Sequence, residues 1–134
     1  MMMCNLKLTL CAAVAGLSLL QGQPANALNA TSADDQLRVF ATCAGRLSAL
    51  LEHQWTFDAA ASDATTAEVN AMADLVAALT TPDVGEKVFS WRLNAKVAHM
   101  QLLRRAYFGT DMADAAWAAE MADANEAACR DLLL

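Results

Sequence analysis

From residue 32 to the end of the chain, apolar residues recur every three or four positions, and this spacing limits the possible folds more than any other feature. It matches the period of an α-helix, and the alternation of β-branched residues that is typical of strands is missing. The clearest example is the first segment, where one helical face would carry Leu37, Phe40, Cys43, Ala44, Leu47, Leu51 and Trp55. The pattern predicts an all-α protein.

Residues that favour helix ends divide the pattern into four helices, predicted over about residues 32–55, 65–80, 82–108 and from 111 onward. Ser32 or Asp34 can cap the first, and Thr65 and Glu68 have capping-box spacing at the second. Pro82 suits the first position of the third helix. Thr110 or Asp111 can cap the fourth. Four amphipathic helices with mostly short connections predict an antiparallel four-helix bundle.

In that topology the first and last helices are antiparallel neighbours, whereas the first and third run parallel and lie diagonally across the core. The three tryptophans, Trp55, Trp91 and Trp117, are predicted to anchor the core. The buried face of the fourth helix is predicted to be Ala113, Trp117, Met121, Ala124, Ala128 and Leu132.

The first 27 residues have the features of a cleavable signal peptide. Lys7 precedes an uncharged apolar run, Leu8 to Leu20, and small residues at Ala25 and Ala27 fit a cleavage site. Cleavage after Ala30 is the alternative to cleavage after Ala27. An uncleaved anchor is a weaker alternative, because the run is shorter than the ~20 residues that span a bilayer, and a lipoprotein is weaker still. We expect a periplasmic or secreted protein with one helical domain, residues 28–134, and no stable membrane anchor once the leader is cleaved.

All 15 acidic residues and eight of the nine basic residues follow the leader, so the domain has a net charge of −7. A protein this acidic should repel nucleic acids and anionic membrane surfaces.

Two cysteines remain after the leader, Cys43 in the first helix and Cys129 near the chain end. Outside the cytoplasm a single pair is usually a disulfide, and bundle topology brings both residues to the same half of the domain. We predict a structural disulfide between the first and last helices. A redox-active pair or a metal site that uses both sulfurs is less favoured, because there is no C-x-x-C motif.

The common local motifs of catalysis and cofactor binding are missing, including C-x-x-C-H, H-E-x-x-H, G-x-S-x-G and glycine-rich phosphate loops. We therefore expect neither an enzyme nor a resident cofactor. The alternative is a haem or a transition metal held between His53 and His99, with Met72 or Met100 as a further ligand.

Charge is segregated between the last two helices. The third carries Lys87, Arg92, Lys96, Arg104 and Arg105 against Glu86, for a net of +4, and residues 110–134 have a net of −5. The favoured interpretation is that these helices complement each other within the molecule. The functional interpretation is that the five basic residues and Tyr107 present an interface to a protein partner, since arginine and aromatic residues are typical interface anchors. Together these features predict an exported, non-enzymatic accessory or binding protein.

Overall fold

The structure is a computed structural model that describes residues 32–134. It has four helices, α1 (Ala33–Phe57), α2 (Ser62–Leu79), α3 (Gly85–Phe108) and α4 (Met112–Arg130), and two short 3₁₀ turns, Ala59–Ala61 and Asp131–Leu133. The predicted all-α four-helix bundle is confirmed. The predicted signal peptide lies outside the described residues.

Two helices begin where their capping residues predict. The side chain of Ser32 accepts a hydrogen bond from the backbone N–H of Asp35 at the start of α1. The Asp111 carboxylate accepts the N–H groups of Ala113 and Asp114 at the start of α4. These side chains satisfy backbone donors that have no partner inside the helix.

The predicted starts of the other two helices are wrong by three residues. α2 begins at Ser62 because the alanines before it form a 3₁₀ turn that leads directly into the helix. Thr65 therefore lies inside α2, where its hydroxyl donates to the carbonyl of Ala61 and caps nothing. At α3, Pro82 belongs to a turn closed by a hydrogen bond from the Val84 N–H to the Thr81 carbonyl, and the helix begins at Gly85.

α1 is the central helix, and it packs most extensively against α3 and then against α2. Asp34 and Glu52 of α1 pair with Lys87 and Lys96 of α3 in the same order, so the two helices run parallel as predicted. Their predicted diagonal separation is wrong. At Gly45 the helices are so close that an added Cβ would overlap the carbonyl oxygen of Arg92.

The core consists of two clusters. The larger joins α1, α2, the start of α3 and the end of α4, and it includes the fully buried Leu47 and Met72. The smaller joins α1, α3 and α4 through Leu50, Leu103 and Ala122, among others. Burying one large aliphatic side chain contributes about 1.5–3 kcal/mol, so Leu47 and Met72 are leading contributors to the packing of α2 on α1.

The predicted disulfide is confirmed. Cys43 of α1 and Cys129 of α4 are bonded, their Cα atoms are 5.3 Å apart, and both residues are buried. The two cysteines are 86 positions apart in the sequence. Their bond connects α4 to α1, a helix that α4 otherwise contacts far less than it contacts α3.

The predicted buried face of α4 is wrong, and so is the role of two tryptophans. α4 buries Ala118, Ala122, Glu126 and Cys129, and the stripe that contains Trp117 and Met121 faces outward. Trp55 and Trp117 are 61% and 48% exposed, so they do not anchor the core.

Candidate interaction surface on the third helix

The outer side of α3 carries an apolar stripe in contact with solvent. Phe89, Leu93 and Val97 follow one another at intervals of four residues, which places them on one helical face. They are 65%, 46% and 51% exposed. α3 therefore leaves this apolar stripe largely uncovered by residues 32–134.

This stripe lies in a groove that follows α3, and we refer to it as the α3 groove. It consists of three successive hollows of about 190, 280 and 410 Å³. Ser48 lines the first and Glu52 the second, so α1 forms the opposite wall there. Adjacent hollows share residues on α3, which makes the groove continuous from Phe89 to Phe108.

Three of the five basic residues predicted at the interface are paired within the molecule. Lys87 binds Asp34 of α1 with 3.0 Å between Nζ and Oδ2, and Lys96 binds Glu52 of the same helix. Arg105 binds Asp114 of α4. Of these three cations, only Arg105 shows the expected charge complementarity between α3 and α4. Lys87 and Lys96 are neutralised by carboxylates of α1 instead.

Arg105 and Asp114 form a two-point ion pair at the junction of α3 and α4. The hydrogen bonds from Arg105 lower the pKa of the Asp114 carboxyl from its ordinary value, and the same bonds raise the pKa of Arg105. The Arg105 guanidinium also lies over the ring of Trp117, 4.9 Å from its centroid. Arg105 is therefore engaged with α4 and is less available to a partner.

Arg92 and Arg104 make no ion pair with any side chain in the part of the chain that the structure describes. Both are exposed, and both line the α3 groove, Arg92 in its first hollow and Arg104 in its second and third. They are 12 positions apart, which is about 18 Å along a helix. The groove thus combines an apolar floor with two uncompensated positive charges.

Tyr107, the remaining predicted interface residue, belongs to an aromatic cluster where α1 and α3 end. Its ring centroid is 4.3 Å from that of Phe57 and 4.8 Å from that of Phe108, and His53 completes the cluster at 5.5 Å. Tyr107 and Phe108 are more than half exposed. Because Phe108 also lines the third hollow, the cluster continues the α3 groove at its carboxyl end.

The structure gives the two histidines different surroundings. His53 stacks with Phe57, whereas His99 is 1% exposed and its Nε2 lies 3.1 Å from Oε1 of Glu126 on α4. His53 packs against Tyr107, which lies about two helical turns beyond His99 on α3. The surroundings of His53 and His99 are therefore at different levels of the bundle.

Glu126 and Arg130 of α4 form a polar connection between His99 of α3 and Glu68 of α2. Its other carboxylate oxygen is 3.5 Å from Arg130, and Arg130 binds Glu68 at 2.9 Å. The hydrogen bond with Glu68 is the largest cause of a raised pKa at Arg130. Nδ1 of His99 has no hydrogen-bond partner among the described residues. This connection fixes α4 against two helices.

Within residues 32–134 no three histidine, cysteine, aspartate or glutamate side chains come together as metal ligands. The alternative of a haem or metal ligated by His53 and His99, with Met72 or Met100, stays a prediction. Visible absorbance and elemental analysis of the native protein test it.

Sequence reasoning selected the charged residues of α3 and did not decide which of its apolar residues stay exposed. Phe89 and Leu93 are four residues apart, as apolar residues on one helical face are, but this periodicity does not say whether that face is covered. The pairing of His99 with Glu126 was also missed. Its signal was the position of Glu126 three residues before a cysteine that was expected to be buried.

No protein-family model matches the chain, and neither the curated proteins nor the solved structures include a significant match. In the described part of the chain, no helix has both the length and the apolar character needed to cross a membrane. The buried disulfide is compatible with an exported protein.

Proposed function

We propose that this protein is an exported, non-enzymatic helical accessory protein that binds a protein partner through the α3 groove. The observation that carries the proposal is the exposed row of Phe89, Leu93 and Val97, flanked by the unpaired Arg92 and Arg104. Contiguous exposed apolar surface on a folded domain commonly marks an interaction site. Export to the periplasm or beyond is supported by the predicted signal peptide and by the disulfide.

The shape of the groove favours a helix as the bound element. The three hollows extend along α3 from Phe89 to Phe108, which is about 28 Å of helix. Amphipathic helices bind such grooves through apolar residues repeated at helical spacing. The two arginines add selectivity for a helix with acidic flanks, because opposite charges across an interface suppress wrong partners.

The proposal predicts that reversing the two free charges abolishes partner binding. The double variant Arg92→Glu, Arg104→Glu should lose the proteins that the wild type captures from a periplasmic extract, as measured by quantitative mass spectrometry. Charge repulsion at a binding site costs several kcal/mol, so we expect captured amounts to fall by about tenfold or more.

The matched control is Arg38→Glu, Lys87→Glu. It changes the net charge equally, but both side chains lie over Trp91, with 5.8 and 5.0 Å to its ring centroid, and neither lines the α3 groove. Capture that falls equally in both variants would show a net-charge effect. Capture that is unchanged by Arg92→Glu, Arg104→Glu would remove the groove as the binding site.

A further inference from the structure

A second apolar surface lies on α4 and is turned away from its buried face. It consists of five exposed residues at helical spacing: Ala113, Trp117, Met121, Ala124 and Ala128. Trp117 and Met121 supply most of its area and are 48% and 38% exposed. The alanines leave room for another helix to approach closely. The Arg105 guanidinium covers part of Trp117, 4.9 Å from its ring centroid, and the rest of the stripe is exposed. The chain therefore presents two largely exposed apolar helical surfaces within residues 32–134, the α3 groove and this α4 stripe.

The exposed surface of α4 also carries two free acidic residues, of which Glu120 borders the α4 stripe, three residues after Trp117 and four before Ala124. Glu120 and Asp123 are exposed and form no ion pair within residues 32–134. Asp114, at the start of the same helix, is already bound to Arg105. The free charges of α4 are therefore negative, whereas the free charges of the α3 groove, Arg92 and Arg104, are positive.

These charges discriminate among the ways in which two copies could meet. Two α3 grooves face to face would bring four arginines together, and two α4 stripes would bring four carboxylates together. Like charges placed opposite each other at an interface cost several kcal/mol. The pairing of one copy's α3 groove with the other copy's α4 is the combination in which both apolar surfaces are covered and the free charges are of opposite sign.

The dimensions agree with this pairing. α4 has 19 residues and is therefore about 28 Å long. The α3 groove, from Phe89 to Phe108, has a similar length. Trp117 and Met121 are side chains of the size that can enter its hollows of about 190 and 280 Å³.

We propose that the α3 groove binds α4 of a second copy of this chain. The inference rests on the proposed function, because it names the occupant of the same surface. Each copy has one groove and one α4 stripe, so reciprocal binding closes a two-fold symmetric dimer and leaves neither surface exposed.

Paired charge reversals test this inference. Purified protein with its disulfide formed should sediment as a concentration-dependent dimer. Arg92→Glu, Arg104→Glu alone should be monomeric, since its groove and its α4 are then both acidic. Glu120→Arg, Asp123→Arg alone should also be monomeric, since both surfaces are then basic. We expect each variant to raise the dimer dissociation constant by about tenfold or more.

An equimolar mixture of the two variants should recover the dimer. In the mixed pair each groove faces an α4 stripe of opposite charge, so both contacts are restored and only the heterodimer forms. Isotope labelling of one variant and native mass spectrometry identify that species. Circular dichroism of each variant confirms that the exposed substitutions leave the helices folded.

Two outcomes would overturn the inference: wild-type protein that is monomeric up to millimolar concentration, or a dimer that neither variant weakens. A monomeric wild type that still captures another protein through Arg92 and Arg104 would refute the second copy as occupant and leave the proposed function intact. Failure of both the dimer and the Arg-dependent capture would refute both.

Discussion

Gly45 shows how one residue without a side chain sets the distance between the two central helices. A Cβ added there would overlap the Arg92 carbonyl oxygen, and it would lie 3.0 Å from the Lys96 backbone nitrogen and 3.1 Å from the Ala95 Cβ. Two of these atoms belong to the backbone of α3 and cannot turn aside as the tip of a flexible side chain can. Because Arg92 and Lys96 also line the α3 groove, the packing at Gly45 helps to position that groove.

The substitution Gly45→Ala should therefore destabilise the protein. Alanine favours a helix by about 1 kcal/mol over glycine, but the overlap forces α1 and α3 apart. Overpacking of this kind typically costs about 1–3 kcal/mol, and we expect a net decrease in the free energy of unfolding, measured by urea denaturation. The matched control is Gly85→Ala, where no atom lies within 4 Å of an added Cβ. A Gly45→Ala protein as stable as the wild type would contradict the close approach.

At the scale of the helix, the orientation of α4 was the largest error of sequence reasoning. α4 is rich in alanine on all sides, so its hydrophobic pattern gives little contrast between a buried and an exposed face. Its orientation follows from three specific contacts, which are the disulfide at Cys129, the pairing of Glu126 with His99, and the ion pair of Arg130 with Glu68. These contacts turn Trp117 and Met121 outward.

The pairing of His99 with Glu126 can be tested by a double-mutant cycle. Either His99→Leu or Glu126→Leu leaves the other buried polar group without this partner, and stranding a buried hydrogen-bonding group in this way costs about 1–3 kcal/mol. The double variant leaves neither group stranded, so its loss of stability should be clearly smaller than the sum of the two single losses. Additive losses, measured by urea unfolding, would show that the two side chains do not interact.

At the scale of the whole molecule, the disulfide joins the first and last helices. α4 packs chiefly on α3, which in turn packs on α1, so the direct link between Cys43 and Cys129 closes the arrangement. Closing a long loop stabilises a fold mainly by restricting the unfolded chain. A buried disulfide of this kind is compatible with an exported protein.

Reduction of the disulfide should lower the free energy of unfolding by up to about 4–5 kcal/mol, the chain-entropy value for a loop of 86 residues. The measurement is urea unfolding of the oxidised and the reduced protein. Cys43→Ala, Cys129→Ala is the control, because a reductant should not change its stability. Equal unfolding midpoints for oxidised and reduced wild type would mean that the bond contributes nothing to stability.

Local signals predicted much of the fold. Ser32 and Asp111 cap their helices as expected, because a cap is a contact between residues two or three positions apart. The Cys43–Cys129 pair was predictable because only two cysteines follow the leader and bundle topology brings them together. The errors occurred where a local signal had competitors, as at Thr65, where the residues before it continue the helix.

The candidate site could be predicted only in part. Lys87, Arg92, Lys96, Arg104 and Arg105 are equivalent by sequence, since each is a cation on one amphipathic helix. The structure separates them, because three pair with carboxylates on α1 and α4 and two do not. Which cation is neutralised depends on residues up to 53 positions away in the chain, and helical periodicity carries no information over that range.

The sequence by itself determined the all-α class, the four helices and the disulfide, because these depend on short-range spacing and on the number of cysteines. The tertiary structure decided that α1 and α3 are in contact, which face of α4 is buried, and which apolar stripe of α3 remains exposed. Alanine and glycine explain the difference. They allow helices to approach closely in several orientations, so contacts between distant residues, such as Gly45 with Arg92 and His99 with Glu126, select the orientation that forms.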